Sequence, residues 1–176
     1  QYEYDSNDIG RLIEKNKIEN QLQALKNIRN KSEYVKDGIK LIESMLPQLN
    51  EDIEYLEIMG IEGNAARVYF PRIFDVVTWK GRKPRVKSDY INTTLDIGYT
   101  MLFNIVDAIL QVYGFDTYYG VFHKCFYMRK SLVCDIMEPM RPIIDWQVRK
   151  AINLGQCKEE HFDVYNHRWV LKYKNN

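Results

Sequence analysis

Residues 89–113 read DYINTTLDIGYTMLFNIVDAILQVY and are followed by Gly114. Ile91, Leu95, Leu102, Ile105, Val106, Ile109 and Leu110 recur there at the three- and four-residue steps of an α-helix. The spacing predicts one long helix from Asp89 to Tyr113, with Gly114 as its C-terminal cap. So much apolar surface on a single element predicts that it is the central helix of an all-α, multi-helix domain.

The preceding segment, residues 80–87, is cationic at Lys80, Arg82, Lys83, Arg85 and Lys87 and carries Gly81 and Pro84, which oppose regular structure, so a basic loop is expected. Before it, a helix is expected from Glu62 to Val77, after Gly60. Further upstream, Val35, Ile39, Ile42, Leu46, Leu49, Ile53 and Leu56 form one apolar stripe. Pro47 should break that stripe, with Asn50 capping a restart. Ile9, Leu12, Ile13, Ile18, Leu22, Leu25 and Ile28 predict a first amphipathic helix from Ile9 to about Asn30. Downstream, residues 115–130 are aromatic and irregular, a short helix should run from Ser131 to Glu138 before Pro139, and Pro142 should open another to about Leu154. The tail beyond about residue 155 has no assignment from its pattern.

The chain has 176 residues, enough for one domain with a self-sufficient core. Its 45% hydrophobic and 28% charged residues exclude a disordered chain. With 25 basic against 24 acidic residues the net charge is +1, so any attraction to nucleic acid must come from local clusters. Cys125, Cys134 and Cys157 are odd in number and lack a CxxC spacing, which points to a reducing, cytoplasmic setting. No apolar run is expected to approach the roughly 20 residues that span a bilayer, and no signal-peptide pattern is present, so no membrane partner is expected. The chain begins at Gln1 without an initiator methionine, and an upstream portion is expected to be missing.

Glu62, His123, Asp135 and Glu138 form the constellation with chemical content. Glu62 is expected where a helix begins, and His123 in the loop after the central helix. Asp135 and Glu138, three apart on a short helix, share a face and are expected to look into one cavity. Carboxylate oxygens with one imidazole suit a hard or borderline divalent ion such as Mg²⁺ or Mn²⁺, which phosphodiester chemistry uses to neutralise the phosphate and activate an attacking oxygen. Spacing alone leaves the bland alternatives open: solvated surface acids and a structural histidine. A zinc site from His123, Cys125, Cys157 and His161 is a further alternative, although no second ligand pair has matching spacing.

A resemblance selects among these. Residues 61–70 (IEGNAARVYF), 90–92 (YIN) with Leu95 and 98–102 (GYTML), 120–123 (GVFH) and 131–142 (SLVCDIMEPMRP) resemble, in order, the successive motifs of the CRISPR spacer-acquisition integrase, the first-numbered Cas family. Residues 17–21 (KIENQ) resemble the short lysine-to-asparagine-glutamine stretch on that domain's first helix. The resemblance implies the family's C-terminal helical catalytic domain over residues 1–176. It also implies a metal-dependent DNA endonuclease and strand-transferase that inserts captured fragments into a CRISPR array. By position it assigns the metal to Glu62, His123 and Glu138, and a supporting role to Asp135. It implies Mg²⁺ or Mn²⁺, double-stranded DNA, a homodimer built by an amino-terminal β-rich domain absent here, and the small second-numbered Cas protein as partners. Arg67 and Arg141 are then candidate phosphate clamps, or else partners of nearby carboxylates. Lys80, Arg82, Lys83, Arg85 and Lys87 are candidate DNA-backbone contacts, or else a solvated loop. Asn92 and Tyr99 are expected to pack rather than react. A non-catalytic helical DNA-binding or scaffold module remains the competing class.

Overall fold

The computed structural model describes residues 6–50, 52–122 and 127–172. Helix α1 (Ser6–Lys26) lies against α3 (Tyr55–Ile73), and α2 (Glu33–Met45) packs on both. Helix α4 (Tyr90–Val112) contacts α5 (Ser131–Met137) and α6 (Arg141–Asn153), and α6 also reaches α1 and α3. A single apolar core runs through all six, from Ile18 and Leu25 on α1 to Tyr69 on α3, Leu95 on α4 and Val148 on α6. The expected all-α architecture is therefore the one observed.

Helix boundaries follow local chemistry where that chemistry is strong. Ser32 caps α2 by accepting from Val35 N at 3.3 Å, and Pro47 ends it in a single 3-10 turn, Leu46–Gln48. Asn50 caps no helix; its Oδ1 accepts from Asp52 N at 3.1 Å in a local turn. Helix α3 instead starts at Tyr55, with Glu57 Oε2 accepting from Glu54 N at 3.1 Å. It runs unbroken through Gly60 and Gly63 and stops at Ile73, so Glu62 sits inside a helix rather than at its start. Each glycine costs about 1 kcal/mol there. Burial of Ile58, Ala65, Tyr69 and Ile73 along one face outweighs that cost, at about 1.5–3 kcal/mol for each large side chain.

Helix α4 is capped by Asp89, whose Oδ1 accepts from Asn92 N at 2.8 Å, and Gly114 closes it at φ +76°. It is not wrapped on all sides as its composition predicts. Ile105 and Ile109 are 55% and 52% exposed, and Ile97, Met101 and Val112 also face outward. Among the described residues it is the one helix long and apolar enough to cross a bilayer, a property missed because Asp96 and Asp107 interrupt the run. Pro139 converts the end of α5 into a 3-10 turn, Glu138–Met140, from which α6 starts directly.

The unassigned tail is a hairpin, β1 (Phe162–Tyr165) paired antiparallel with β2 (Arg168–Leu171). Asn166 and His167 both take positive φ, 47° and 60°, as a two-residue hairpin turn requires. The hairpin docks on the start of α4: Trp169 N donates to Lys87 O at 3.0 Å and Thr93 Oγ1 to Trp169 O at 3.2 Å.

Asn92 ties the basic loop to the core. Fully buried, its Oδ1 accepts from Arg82 Nη1 at 3.0 Å and Lys83 N at 2.8 Å, and its Nδ2 donates to Asp89 Oδ2 at 2.6 Å and Gly81 O at 3.1 Å. Both faces of the amide are thus used. Asn92→Ala should lower stability by about 2–4 kcal/mol, because donors and acceptors of the loop lose their partner in a buried place. Chemical denaturation measures this, and a loss under about 1 kcal/mol would mean the loop holds itself.

Candidate active site

Helix α1 buries a polar row among its apolar positions: Glu14, Lys17 and Gln21 are 2%, 8% and 2% exposed. Buried charge must be paired, and Lys17 is paired three times. Its Nζ lies 2.7 Å from Glu62 Oε1 on α3, 2.7 Å from Glu138 Oε2 at the end of α5, and 3.2 Å from Glu14 Oε2 on its own helix. Glu62 and Glu138, remote in sequence, thus converge on a single cation. Burial by itself would lower the Lys17 ammonium, but Glu138, Glu14 and Glu62 more than offset it and hold it above its ordinary range. The Glu14 oxygen is badly angled for a hydrogen bond and has no other partner among the described residues. Burial, opposed by Lys17 and reinforced by Glu138 and Glu62, pushes this carboxyl up to about 7.

The KIENQ stretch gains a physical meaning here. Lys17 and Gln21 line the cavity that Glu138 faces, and Asn20 Nδ2 donates to Pro139 O at 2.8 Å, fastening α1 to the turn that carries Glu138. The other Glu138 oxygen pairs with Arg141 Nε at 2.9 Å.

Asp135 goes elsewhere. It is fully buried, and its Oδ2 accepts from Val121 N at 2.7 Å and Phe122 N at 3.0 Å. The expectation that Asp135 and Glu138 look into one cavity is thus corrected: one acid holds backbone while the other lines the cavity. His123 lies outside the described residues. The two residues before it are nonetheless well fixed, since the Phe122 ring packs at 4.9 Å from the Tyr55 ring and close over Gly10, where a Cβ would fall 1.9 Å from Phe122 Cδ2. Only glycine fits under that ring.

Glu14, Glu62, Glu138 and Asp145 are the acids that line a cavity of about 650 Å³, and Lys17, Arg67, Lys80, Arg82, Arg129 and Arg141 are its cations. Their availability differs. Arg82 is committed to Asn92 and to Asp96 Oδ1 at 2.6 Å, so it staples the loop to α4. Arg141 pairs with Glu138, and its guanidinium stacks 4.9 Å from the Tyr99 ring centroid. Arg67 donates to the neutral Asn64 Oδ1 at 2.5 Å and makes no ion pair with a described residue. Lys80, Lys83 and Arg85 are exposed, with no ion pair to a described residue. Lys83, Arg85 and Lys87 lie outside the cavity lining. Tyr99 is buried and donates its hydroxyl to Asp145 Oδ1. Burial pushes Asp145 up to about 6 despite that bond and the nearby Arg141 and Arg82. The sequence reading missed Glu14, Arg129 and Asp145; the signal that could have found Glu14 is an acid standing four residues before Ile18 on the apolar stripe of the first helix.

Among the described residues no three His, Cys, Asp or Glu side chains stand arranged to hold a metal ion; the glutamates hold an ammonium instead. For the zinc alternative, His123 and Cys125 lie outside the described residues. Cys157 Sγ is 3.4 Å from Thr94 Oγ1, and His161 Nδ1 accepts from Lys158 N at 3.4 Å, so both spend their contacts locally.

The raised Glu14 and Asp145 groups set a pH dependence. Both folded values, about 7 and about 6, exceed the ordinary 4.5 and 3.8, so the folded form binds more protons in between. Their contribution to stability is present in acid and lost as the pH rises through 6 to 7. With chelator present, the thermal midpoint should be about 5 °C higher at pH 5.5 than at pH 7.5, and Glu14→Gln should shrink the difference. An unchanged difference in that variant would remove Glu14 from the account.

Comparisons with known proteins bear on the family and the fold. A family model described as CRISPR associated protein Cas1 matches residues 1–176. The chain is 29% identical over 152 residues to the CRISPR-associated endonuclease Cas1 of Mycobacterium tuberculosis, covering 84% of this chain and 45% of that one. It is 31% identical over 172 residues to the Cas1 endonuclease of Leptospira interrogans, covering 88% and 66%. The chain therefore spans about half the length of the curated relatives it matches. Among solved structures, a chain of a Cas6-RT-Cas1–Cas2 complex superposes with a TM-score of 0.87 at 27% identity, covering 95% of this chain and 19% of that chain. With the family model spanning every residue and the fold reproduced in a Cas1-containing complex, the chain belongs to the Cas1 family of CRISPR-associated proteins.

Proposed function

We propose that this chain is the helical catalytic domain of a metal-dependent DNA endonuclease and integrase of CRISPR adaptation, working in the cytoplasm. The observation that carries the proposal is the convergence of Glu62 and Glu138 on one cation, 2.7 Å from each, inside a cavity lined by arginines and Lys80. That donor set fits Mg²⁺ or Mn²⁺, since both oxygens are anionic and hard and already share one positive charge. Glu62 and Glu138 would hold the ion, with His123 as the third ligand by family resemblance. When bound, the ion supplies charge neutralisation on the phosphate and activation of the attacking oxygen.

The remaining roles belong to the chain's own side chains. Arg67, Lys80 and Arg129 line the cavity and are placed to hold non-bridging phosphate oxygens. Arg141 does so only in part, because Glu138 engages it. Asp135 keeps the backbone before His123 in place. In the strand transfer, the 3′-hydroxyl oxygen of a captured fragment forms a new phosphodiester as the target strand's own 3′-oxygen departs and takes up a proton. Double-stranded DNA, a second copy of the full-length protein and the second-numbered Cas protein are the partners; the solved Cas6-RT-Cas1–Cas2 complex supports the last of these by its composition.

The test is to incubate the chain with nicked and intact duplex DNA in Mn²⁺ or chelator. Mn²⁺-dependent cleaved or joined products support the proposal, and metal-independent products or none contradict it. Duplex affinity itself should rest on the exposed loop. Lys83→Ala with Arg85→Ala should weaken binding and reduce the slope of log affinity against log salt by about 2, with Mn²⁺ affinity unchanged. An unaltered salt slope would place the duplex on another face.

A further inference from the structure

Lys17 occupies the place between Glu62 and Glu138 where the proposed ion would have to bind, and this raises the question of where its charge goes. An ammonium and a divalent ion cannot share those oxygens at contact distance, because like charges repel strongly at a half-buried site. Without any cation the glutamates would be equally costly, since partly desolvated carboxylates need a countercharge. Lys17 is buried on α1 and cannot leave the cavity, so it must find another acceptor within reach.

That acceptor is present. Glu14 Oε2 lies 3.2 Å from Lys17 Nζ, one turn away on the same helix, and this buried oxygen has no hydrogen-bond partner among the described residues. A small rotation of the lysine would align the ammonium with it. We propose that Lys17 is a tethered counter-ion with two positions, one on Glu62 and Glu138 in the metal-free domain and one on Glu14 when a divalent ion takes its place. The inference rests on the metal-dependent reading of the site. It explains why α1 buries a third carboxylate that the two proposed ligands do not require, and why a lysine stands in the row.

Mn²⁺ binding to the 176-residue chain, followed by electron paramagnetic resonance of the free ion, tests this without reference to DNA chemistry. Lys17→Met should bind Mn²⁺ about tenfold tighter than wild type, because no ammonium has to be displaced. Glu14→Gln should bind it severalfold more weakly, because the displaced ammonium loses its second acceptor. In the Lys17→Met background, Glu14→Gln should have a smaller effect than in wild type. Equal factors in both backgrounds would reduce Glu14 to a distant charge and overturn the two-position scheme, as would a Lys17→Met protein no tighter than wild type. If Lys17→Met does not fold without metal, Glu14→Gln carries the test alone, and an unchanged affinity defeats the proposal. Absence of Mn²⁺ binding by folded wild type at millimolar ion would instead defeat the metal reading on which the scheme stands.

Discussion

Glu62→Gln is expected to reduce Mn²⁺-dependent cleavage and joining of DNA by about a thousandfold or more while leaving the fold intact. The substitution keeps the shape of the side chain and removes one anionic oxygen of the two that converge on the shared cation. With Glu62 as a metal ligand, its loss forfeits several kcal/mol of transition-state stabilisation, which converts to that factor. Glu62 is the cleaner of the two positions, because its side chain is half-buried and the ion pair made by its carboxylate is with Lys17. Glu138→Gln should abolish activity equally but also loosen the site, since the same carboxylate holds Arg141 at 2.9 Å. Gel assays of product, with circular dichroism as the folding control, measure both. A Glu62→Gln protein that cleaves at the wild-type rate would sink the assignment of the site.

Asp135→Ala should lower stability by about 3–5 kcal/mol. A fully buried carboxylate accepts from two backbone amides, at 2.7 and 3.0 Å, and each charge-assisted bond is worth about 1.5–3 kcal/mol. Removing the carboxylate leaves both amides without that partner. Asp135→Asn retains one acceptor oxygen and should lose only about half as much. The functional consequence separates positioning from mere stability. With His123 as a metal ligand, the folded Asp135→Asn protein should bind Mn²⁺ about tenfold more weakly, because the backbone leading into His123 is no longer held. If the stability falls as expected and Mn²⁺ affinity does not, Asp135 supports the fold alone.

Much of the candidate site was legible in the sequence, but as membership rather than as roles. The ordered motifs singled out Glu62, His123, Asp135 and Glu138, and they included Lys17, Asn20 and Gln21 without saying what these do. Helical spacing put Asp135 and Glu138 on one face. In the structure a 3-10 turn begins at Glu138, and Asp135 Oδ2 accepts from the amides of Val121 and Phe122. A pattern of three-residue steps could not reveal either, because the partners of Asp135 come from a different segment. The basic loop was legible as charge, yet Arg82 turned out to be a staple to Asp96 and Asn92, leaving Lys83 and Arg85 as the exposed cations outside the cavity.

The sequence by itself determined that the chain folds as helices, where most of them run, and which family they belong to. Apolar spacing dictates which side of a helix must leave water, while Pro47 and Gly114 act on the backbone wherever the chain goes. Tertiary structure decided what these signals cannot carry. It extended α3 through Gly60 and Gly63 because burial of Ile58, Ala65 and Tyr69 outweighed the glycine cost. It left Ile105 and Ile109 of α4 outward although their spacing marked them as core. Above all it placed Lys17 between Glu62 and Glu138, an arrangement of charges from three separate elements. Periodicity specifies the face that each element buries, whereas electrostatic pairing depends on which faces meet, and that is known only once the helices are packed.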